Sequence, residues 1–423
     1  MKIPSSSNPA FVEVLRFALN PISYLDANFK HLGDVFWAYI PQSTIIVGSP
    51  AAIHEVFAAG SETFDTGLNN AFGRIFFQEG SIALASGEEH VRQRQILGPV
   101  FRGERMQSCR ELVCHVTQNF LNGKRKVVVE DLAETITMTT ILNFTFGSVE
   151  GERYHTIARE LASQLNIIGT PLKGLQLFVP FLQVSWGSWG EWQRSQKVFV
   201  EEVAAEIRER RQADVGAQDD VLSILIKEGE TDKRICAQVT TMLLSGRDTT
   251  AHSMAWTLYW ICAIPEIKDK VIAEIDSGKD FMSLPYLDAV IKETLRLYSP
   301  GFIGNPRVTK VPFKLLDWQL DPGTLLTICP YLVHQQEEIY PEPKTFRPER
   351  FLERQFSPYE YLPFGGGNHT CIGKALALFE IKLVIGTILS EYNVELANKR
   401  PVRPIRHGMV LGPEKYELLV ERR

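Results

Sequence analysis

The segment FGGGNHTCIG at 364–373, followed at once by an apolar, helix-forming stretch over 374–389, constrains this chain more than any other feature. It puts one cysteine in a loop crowded with glycines, just ahead of a predicted helix. A thiolate there has backbone N–H groups around it and lies near a helix N-terminus, where the macrodipole favours negative charge. The glycines remove side chains, so a flat, bulky group can approach the backbone closely. Such a loop suits an iron held through sulfur, because a ligating thiolate is kept anionic and tuned by the donors around it. The alternative for any single cysteine is a small buried hydrophobe. A phosphate loop does not fit: Asn368 stands where a glycine is required, and Ala375 where Ser or Thr is. A zinc site would need a second Cys or His pair beside His369 and Cys371.

Bulk properties set the frame. The 423 residues are 44% hydrophobic and 22% charged, enough apolar material for a large core. No Pro/Gly/Ser-rich linker, low-complexity block or repeat divides the chain, so one large domain over 1–423 is expected. A net charge of −5 gives no reason to expect nucleic-acid binding. Cysteines at 109, 114, 236, 262, 329 and 371 form no Cys-x-x-Cys pair and fit a reducing compartment. Pro4, Pro9, Arg16, Asn20 and Pro21 interrupt the N-terminal apolar residues. No run reaches the ~18–20 residues of a spanning helix, and no signal peptide is read. A cytoplasmic protein without a membrane anchor is the expectation.

The periodicities predict a mainly α chain with a small β portion. Residues 35–40 and 44–47 read as strands, 50–59 as helix, and 66–84 as an irregular, aromatic loop. Helical spacing covers 88–121 and 157–166. Residues 167–192 are apolar and broken by Pro and Gly, with Trp186, Trp189 and Trp192. Further helices are expected at 192–212, 219–228, 233–262 and 285–298, the last with Ser283 as N-cap and Pro285 at its first position. Strands are expected near 305–309 and 324–328, and an extended, hairpin-like tail over 391–421.

Three other clusters stand out. Glu293 and Arg296 lie i, i+3 on one predicted helix and can pair, which alone reads as a surface pair. Ser245, Gly246, Asp248, Thr249 and Thr250 are poor residues for the middle of a helix, so the 233–262 helix is expected to bend or open there. Taken alone, Thr249 reads as bonded to a carbonyl one turn earlier and Asp248 as facing solvent. Thr241, Ser245 and Thr249 share one face. His90 and Arg94 place two donors one turn apart on another helix.

The spacing Phe-x-x-Gly-x-x-x-Cys-x-Gly, from Phe364 to Gly373, resembles the haem-binding loop of the cytochrome P450 family. Glu293-x-x-Arg296, the Arg350 segment (Phe346 to Phe351) and the cysteine loop follow in the family's order. The likeness covers nearly the whole chain and is greatest to soluble bacterial, in particular cyanobacterial, members. It implies a single haem-binding domain with haem b ligated by Cys371. It implies a structural network of Glu293, Arg296 and Arg350 behind the loop. Asp248 would relay protons and Thr249 would hydrogen-bond bound dioxygen; Ser245 stands where the family more often has Ala. His90, Arg94, Arg307 and His369 match the positions that hold the haem carboxylates, with His369 in place of the more frequent Arg. Residues 66–84 and 164–185, with Thr241, Leu244, Ser245, Phe302, Ile303, Met409 and Val410, would line the substrate side. The implied function is monooxygenation of a hydrophobic small molecule with O2 and two electrons from a ferredoxin or flavodoxin and its reductase. Lys374 and Arg102 are candidates for the partner's docking face. A haem-thiolate isomerase or lyase, a peroxygenase and a non-enzymatic haem sensor are the other functions to weigh; the Asp248-Thr249 pair argues against the first two, and no output domain is read for the third.

Overall fold

A computed structural model gives the fold. It describes all residues except 1, 41, 67–72, 148–149, 171–182, 185, 213–219 and 409, and not the side chains of 104 and 105. The helices, in order, are α1 (Ala10–Leu19), α2 (Pro21–Leu32), α3 (Pro50–Ala58), α4 (Gly73–Phe76), α5 (Gly87–Leu97), α6 (Glu104–Leu121), α7 (Val129–Phe146), α8 (Glu152–Gly169) and α9 (Gly187–Gln212). They continue with α10 (Val221–Lys227), α11 (Asp232–Gly246), α12 (Asp248–Ala263), α13 (Pro265–Ile275), α14 (Pro285–Leu297), α15 (Pro330–His334), α16 (Arg350–Glu353) and α17 (Lys374–Glu391). Helix dominates and strands are short, as the sequence patterns predict. Among the described residues no helix is long and apolar enough to cross a membrane.

The largest core cluster lies between α7, α12, α14 and α17, through residues such as Ile136, Leu258, Leu295 and Leu383. A mixed sheet flanks it, in the order β1 (Val35–Tyr39), β2 (Ser43–Val47), β8 (Leu325–Ile328), β5 (Arg307–Thr309), β3 (Phe64–Thr66). β4 (Lys126–Val128), β12 (Glu417–Arg422) and β9 (Tyr392–Leu396) form a second sheet. β6 (Phe313–Leu315) with β7 (Trp318–Leu320), and β10 (Pro404–His407) with β11 (Val410–Pro413), are two-stranded hairpins.

Several elements depart from the expected pattern for identifiable reasons. The N-terminal prolines do not abolish helix: Pro21 opens α2, and the Asn20 side chain caps it by accepting the Ser23 N–H at 3.0 Å. Helix α7, rich in β-branched residues, has no counterpart in the predicted elements. It is stabilised by burial, and Thr135, Thr137, Thr139 and Thr140 satisfy their hydroxyls on carbonyls one turn back. Ser283 does not cap α14; its hydroxyl donates to Asp280 O at 2.8 Å. The cap comes instead from α13, where the Glu274 carboxylate accepts the N–H groups of Tyr286 and Leu287, each at 2.9 Å. The expected 233–262 helix is two helices, α11 and α12, that meet at Arg247. Gly246 permits close packing there, since a Cβ on it would lie 2.9 Å from Ile141 Cδ1.

Candidate functional site

The cysteine loop closes on itself before anything is bound. Cys371 N–H donates to Phe364 O at 2.9 Å, and the Thr370 hydroxyl to Gly367 O at 2.8 Å. Gly365 and Gly367 take φ of 66° and 62°, in the left-handed region that glycine adopts without strain. Gly366 is required for a different reason: a Cβ there would lie 2.2 Å from Phe57 Cε2 on α3. Gly373 stands immediately before α17, whose first residue is Lys374.

Cys371 is exposed to solvent, although protein closely surrounds it. That surrounding mass pushes its thiol pKa up. The Gly373 N–H, the Arg94 guanidinium and the Lys374 N–H pull the other way, favouring thiolate. Phe364, half-buried, packs on the main core, with the Lys374 ammonium 5.7 Å from its ring centroid.

Four basic side chains gather beside the loop. His90 and Arg94 come from α5, Arg307 from β5 and His369 from the turn just ahead of Cys371. Arg94 Nη1 donates to Thr370 O at 2.7 Å. Among the described residues Arg307 makes only long hydrogen bonds, 3.5 Å each, to the carbonyls of Val56 and Gly366, and it lies 5.1 Å from the Phe57 ring centroid. The His90 and His369 rings stack at 4.0 Å. Burial is the chief cause that lowers all four: His90 to about 4, His369 to about 3, Arg307 to about 10, and Arg94 by a smaller shift. Both imidazoles are therefore neutral at neutral pH. Among the described residues none of the four has a carboxylate within ion-pair distance. A dianionic ligand such as the two haem carboxylates fits that deficit.

The hinge between α11 and α12 presents Ser245, exposed, and Thr249, whose hydroxyl donates to Ser245 O at 2.7 Å. The back-bond to a carbonyl one turn earlier is thus present. Asp248 Oδ1 accepts from Arg247 Nη1 at 2.8 Å, and Arg247 also bonds Glu134. Burial raises Asp248 above the usual carboxylate range, and Arg247 opposes that rise. Thr241 is buried, its hydroxyl on Ala237 O, and Leu244 is half-buried against the α8–α11 core. Ile303 and Val410 are half-buried. Phe302 corrects an expectation: its ring is 2% exposed, packed in a core cluster with Phe36, Ile46 and Leu411 rather than lining open space. Met409 and residues 67–72, 171–182 and 185, also expected near the substrate, lie outside the described residues.

Behind the loop, Glu293, Arg296 and Arg350 meet in full burial. Arg296 donates to both Glu293 oxygens at 2.7 and 2.8 Å, and Arg350 Nε to Glu293 Oε1 at 3.1 Å. The sequence reading missed the link from this cluster to the loop. Arg296 Nη1 donates to His334 O at 2.7 Å, and the His334 ring receives the Leu362 N–H on Nε2 at 3.1 Å. Leu362 O in turn accepts the Gly365 N–H at 3.0 Å. His334 carries no local motif; only its fully buried place between α14 and the loop identifies it.

Known proteins resemble this chain over most of its length. The chain matches the cytochrome P450 family over residues 3–420. The protein of Mycobacterium tuberculosis named cytochrome P450 135A1 is 28% identical over 88% of this chain and 84% of its own length. The Mycobacterium bovis protein named cytochrome P450 135B1 is 26% identical over 96% of this chain and 88% of its own. Among solved structures, a retinoic-acid-bound cyanobacterial CYP120A1 shares the fold with a TM-score of 0.87, 20% identity and 99% of each chain covered.

Proposed function

The chain belongs to the cytochrome P450 family of haem-thiolate monooxygenases, and we propose that this member hydroxylates or epoxidises a hydrophobic small molecule such as a fatty acid, a terpenoid or a related natural product. It works as a single haem-binding domain over 1–423, in the cytoplasm, with O2 and two electrons from a ferredoxin or flavodoxin and its reductase. The observation that carries the reading is the pairing of one donor-ringed sulfur, Cys371, with four bases that have no acid of their own among the described residues.

Haem b, the family's cofactor, supplies the oxygen-activating chemistry when bound. Cys371 Sγ would ligate its iron, with the N–H groups of Gly373 and Lys374 tempering the sulfur's charge. Arg94, Arg307, His90 and His369 would hold its carboxylates, and bringing those anions close would favour the protonated imidazoles. Thr249 donates its own proton to Ser245 O, which leaves its hydroxyl oxygen to accept from or order a proton donor. Asp248, to pass a proton inward, must turn away from Arg247. Glu293, Arg296, Arg350 and His334 position the loop and touch no ligand. Lys374 and Arg102, both exposed, give the cysteine side a basic face for an acidic electron-transfer partner. The retinoic acid held by the cyanobacterial neighbour supports a search among bulky apolar ligands.

The test is the carbon monoxide complex of the reduced protein. The red-shifted Soret band of thiolate ligation is expected, and Cys371→Ala should lose it. Haem bound without that band in the unaltered protein would sink the reading.

A further inference from the structure

The β10–β11 hairpin holds a cation that none of the roles above uses. His407 turns toward α12, with its ring 4.3 Å from that of His252. Arg406, the preceding residue in the strand, faces the other way. Its guanidinium lies 5.6 Å from the ring centroid of Phe17 on α1, and Phe17 stacks on Phe302 at 6.3 Å. Arg406 Nε donates to Gly408 O at the hairpin tip. Gly408 has φ +64°, and a Cβ there would lie 2.5 Å from Ile168 Cγ2, so the tip is pressed against the end of α8. Arg406 therefore sits where α1, the hairpin tip and the end of α8 converge, among aromatic and aliphatic groups.

Among the described residues this arginine has no counter-ion: no carboxylate lies within ion-pair distance of it. Segments 67–72 and 171–182 and position 409 contain no Asp or Glu in the sequence. The acids outside the description are the Glu104 side chain, at the first residue of α6, and Asp214 and Asp219, between α9 and α10 in the sequence. A desolvated guanidinium without an anion costs free energy that an incoming anion would recover. Burial accordingly lowers the Arg406 pKa.

We propose that Arg406 anchors the carboxylate of an amphiphilic substrate acid, one with a long apolar body that runs from this rim toward the α12 face bearing Thr249; the proposal rests on the monooxygenase reading and names the substrate class for that site. The guanidinium fork accepts a carboxylate through two N–H groups, while Phe17 and Ile168 offer the apolar body a wall. An alcohol of the same chain can take up the wall but not the charge.

The experiment is calorimetric titration of the haem-loaded, full-length protein with dodecanoic and hexadecanoic acids and the matching alcohols at pH 8. The acids should bind at least about tenfold more tightly than the alcohols, the scale of a charge-assisted hydrogen-bond pair. Arg406→Gln should erase that preference and leave alcohol affinity within about twofold. Arg406→Lys should keep part of it, and carries the test should the Gln variant lose its far-UV circular dichroism. Equal affinity for acid and alcohol in the unaltered protein, no binding by either acid, or a preference that survives both substitutions overturns the proposal. The carbon monoxide band separates the two ideas: present without acid preference, it leaves the monooxygenase standing and removes the anchor; absent, it removes the monooxygenase whatever the acids do.

Discussion

His334→Leu isolates how the cysteine loop is held. The ring is fully buried, and Nε2 accepts the Leu362 N–H, so the ring proton sits on Nδ1 and is donated to Arg296 O at 3.1 Å. That carbonyl needs the donor because the residue four positions on is Pro300, which has no N–H. Leucine leaves one buried donor and one buried acceptor unpaired, at about 1–3 kcal/mol each, so about 2–6 kcal/mol should be lost at pH 7. Acid adds a signature. Burial, reinforced by Arg296, pushes the His334 pKa down to about 3. An unfolded histidine titrates near ~6.5, so between these values the unfolded chain binds a proton that the folded chain does not. The stability tied to His334 is complete above ~6.5 and is lost as pH falls toward the folded value. By pH 5 the loss is on the order of 2 kcal/mol. The leucine variant has no such proton, so its deficit should shrink by about that amount. Urea unfolding of the haem-loaded protein at pH 7 and pH 5, followed by far-UV circular dichroism, measures both. A deficit below about 0.5 kcal/mol at pH 7, or one that is the same at both pH values, refutes the reasoning.

Two further predictions concern buried charge. Arg307→Met removes a guanidinium that burial lowers to about 10 and that has no ion pair among the described residues. The apoprotein's urea midpoint should not fall, while transfer of haem to apomyoglobin should speed up about tenfold or more; unchanged transfer would mean Arg307 holds no haem carboxylate. Glu380→Gln tests a carboxyl that burial raises to about 7, with a hydrogen bond to Thr140 pulling the other way and with Oε1 unpartnered among the described residues. Between its ordinary range and pH 7 the folded chain keeps a proton that the unfolded chain has released, so stability falls as pH rises through that window. The glutamine variant should be more stable than the unaltered protein at pH 8, by up to about 3 kcal/mol, with no gain at pH 5; a variant weaker at pH 8 would contradict the assignment.

What the sequence revealed, and what it hid, divides by the range of the interaction. The loop at 364–373 was readable because its glycines and cysteine act on their own neighbours: two positive-φ positions, a hydroxyl closing on Gly367 and a helix start all lie within one short segment. The interruption at 245–250 was likewise visible in residues that disfavour helix, although the sequence did not place the break at Arg247. Long-range partners were not visible. The α14 cap comes from Glu274 on another helix, which no pattern around Ser283 reveals. Helix α7 went unread because its many β-branched residues are weak helix formers by propensity, whereas burial decides them. Phe302 was assigned to a pocket because apolar residues serve cores and pockets alike, and only packing tells them apart.

The long-range contacts also explain how a loop so rich in glycine can hold a ligand with fixed geometry. Four glycines between 364 and 373 should make the segment costly to order. Three elements remote in sequence take up that cost. Arg94 on α5 binds Thr370 O, the Phe57 ring on α3 covers Gly366 and Gly367, and His334 on α15 holds Leu362. His334 is in turn tied to Arg296, whose charge is neutralised by Glu293, the carboxylate that Arg350 shares. Each tether bears on a different part of the loop, one before the glycines, one on them and one after. The N–H groups aimed at the sulfur are thus set by the fold and need no rearrangement when a ligand arrives. The same glycines that would make an isolated peptide floppy are what let Phe57 come close enough to stiffen it, so flexibility in the sequence becomes rigidity in the fold.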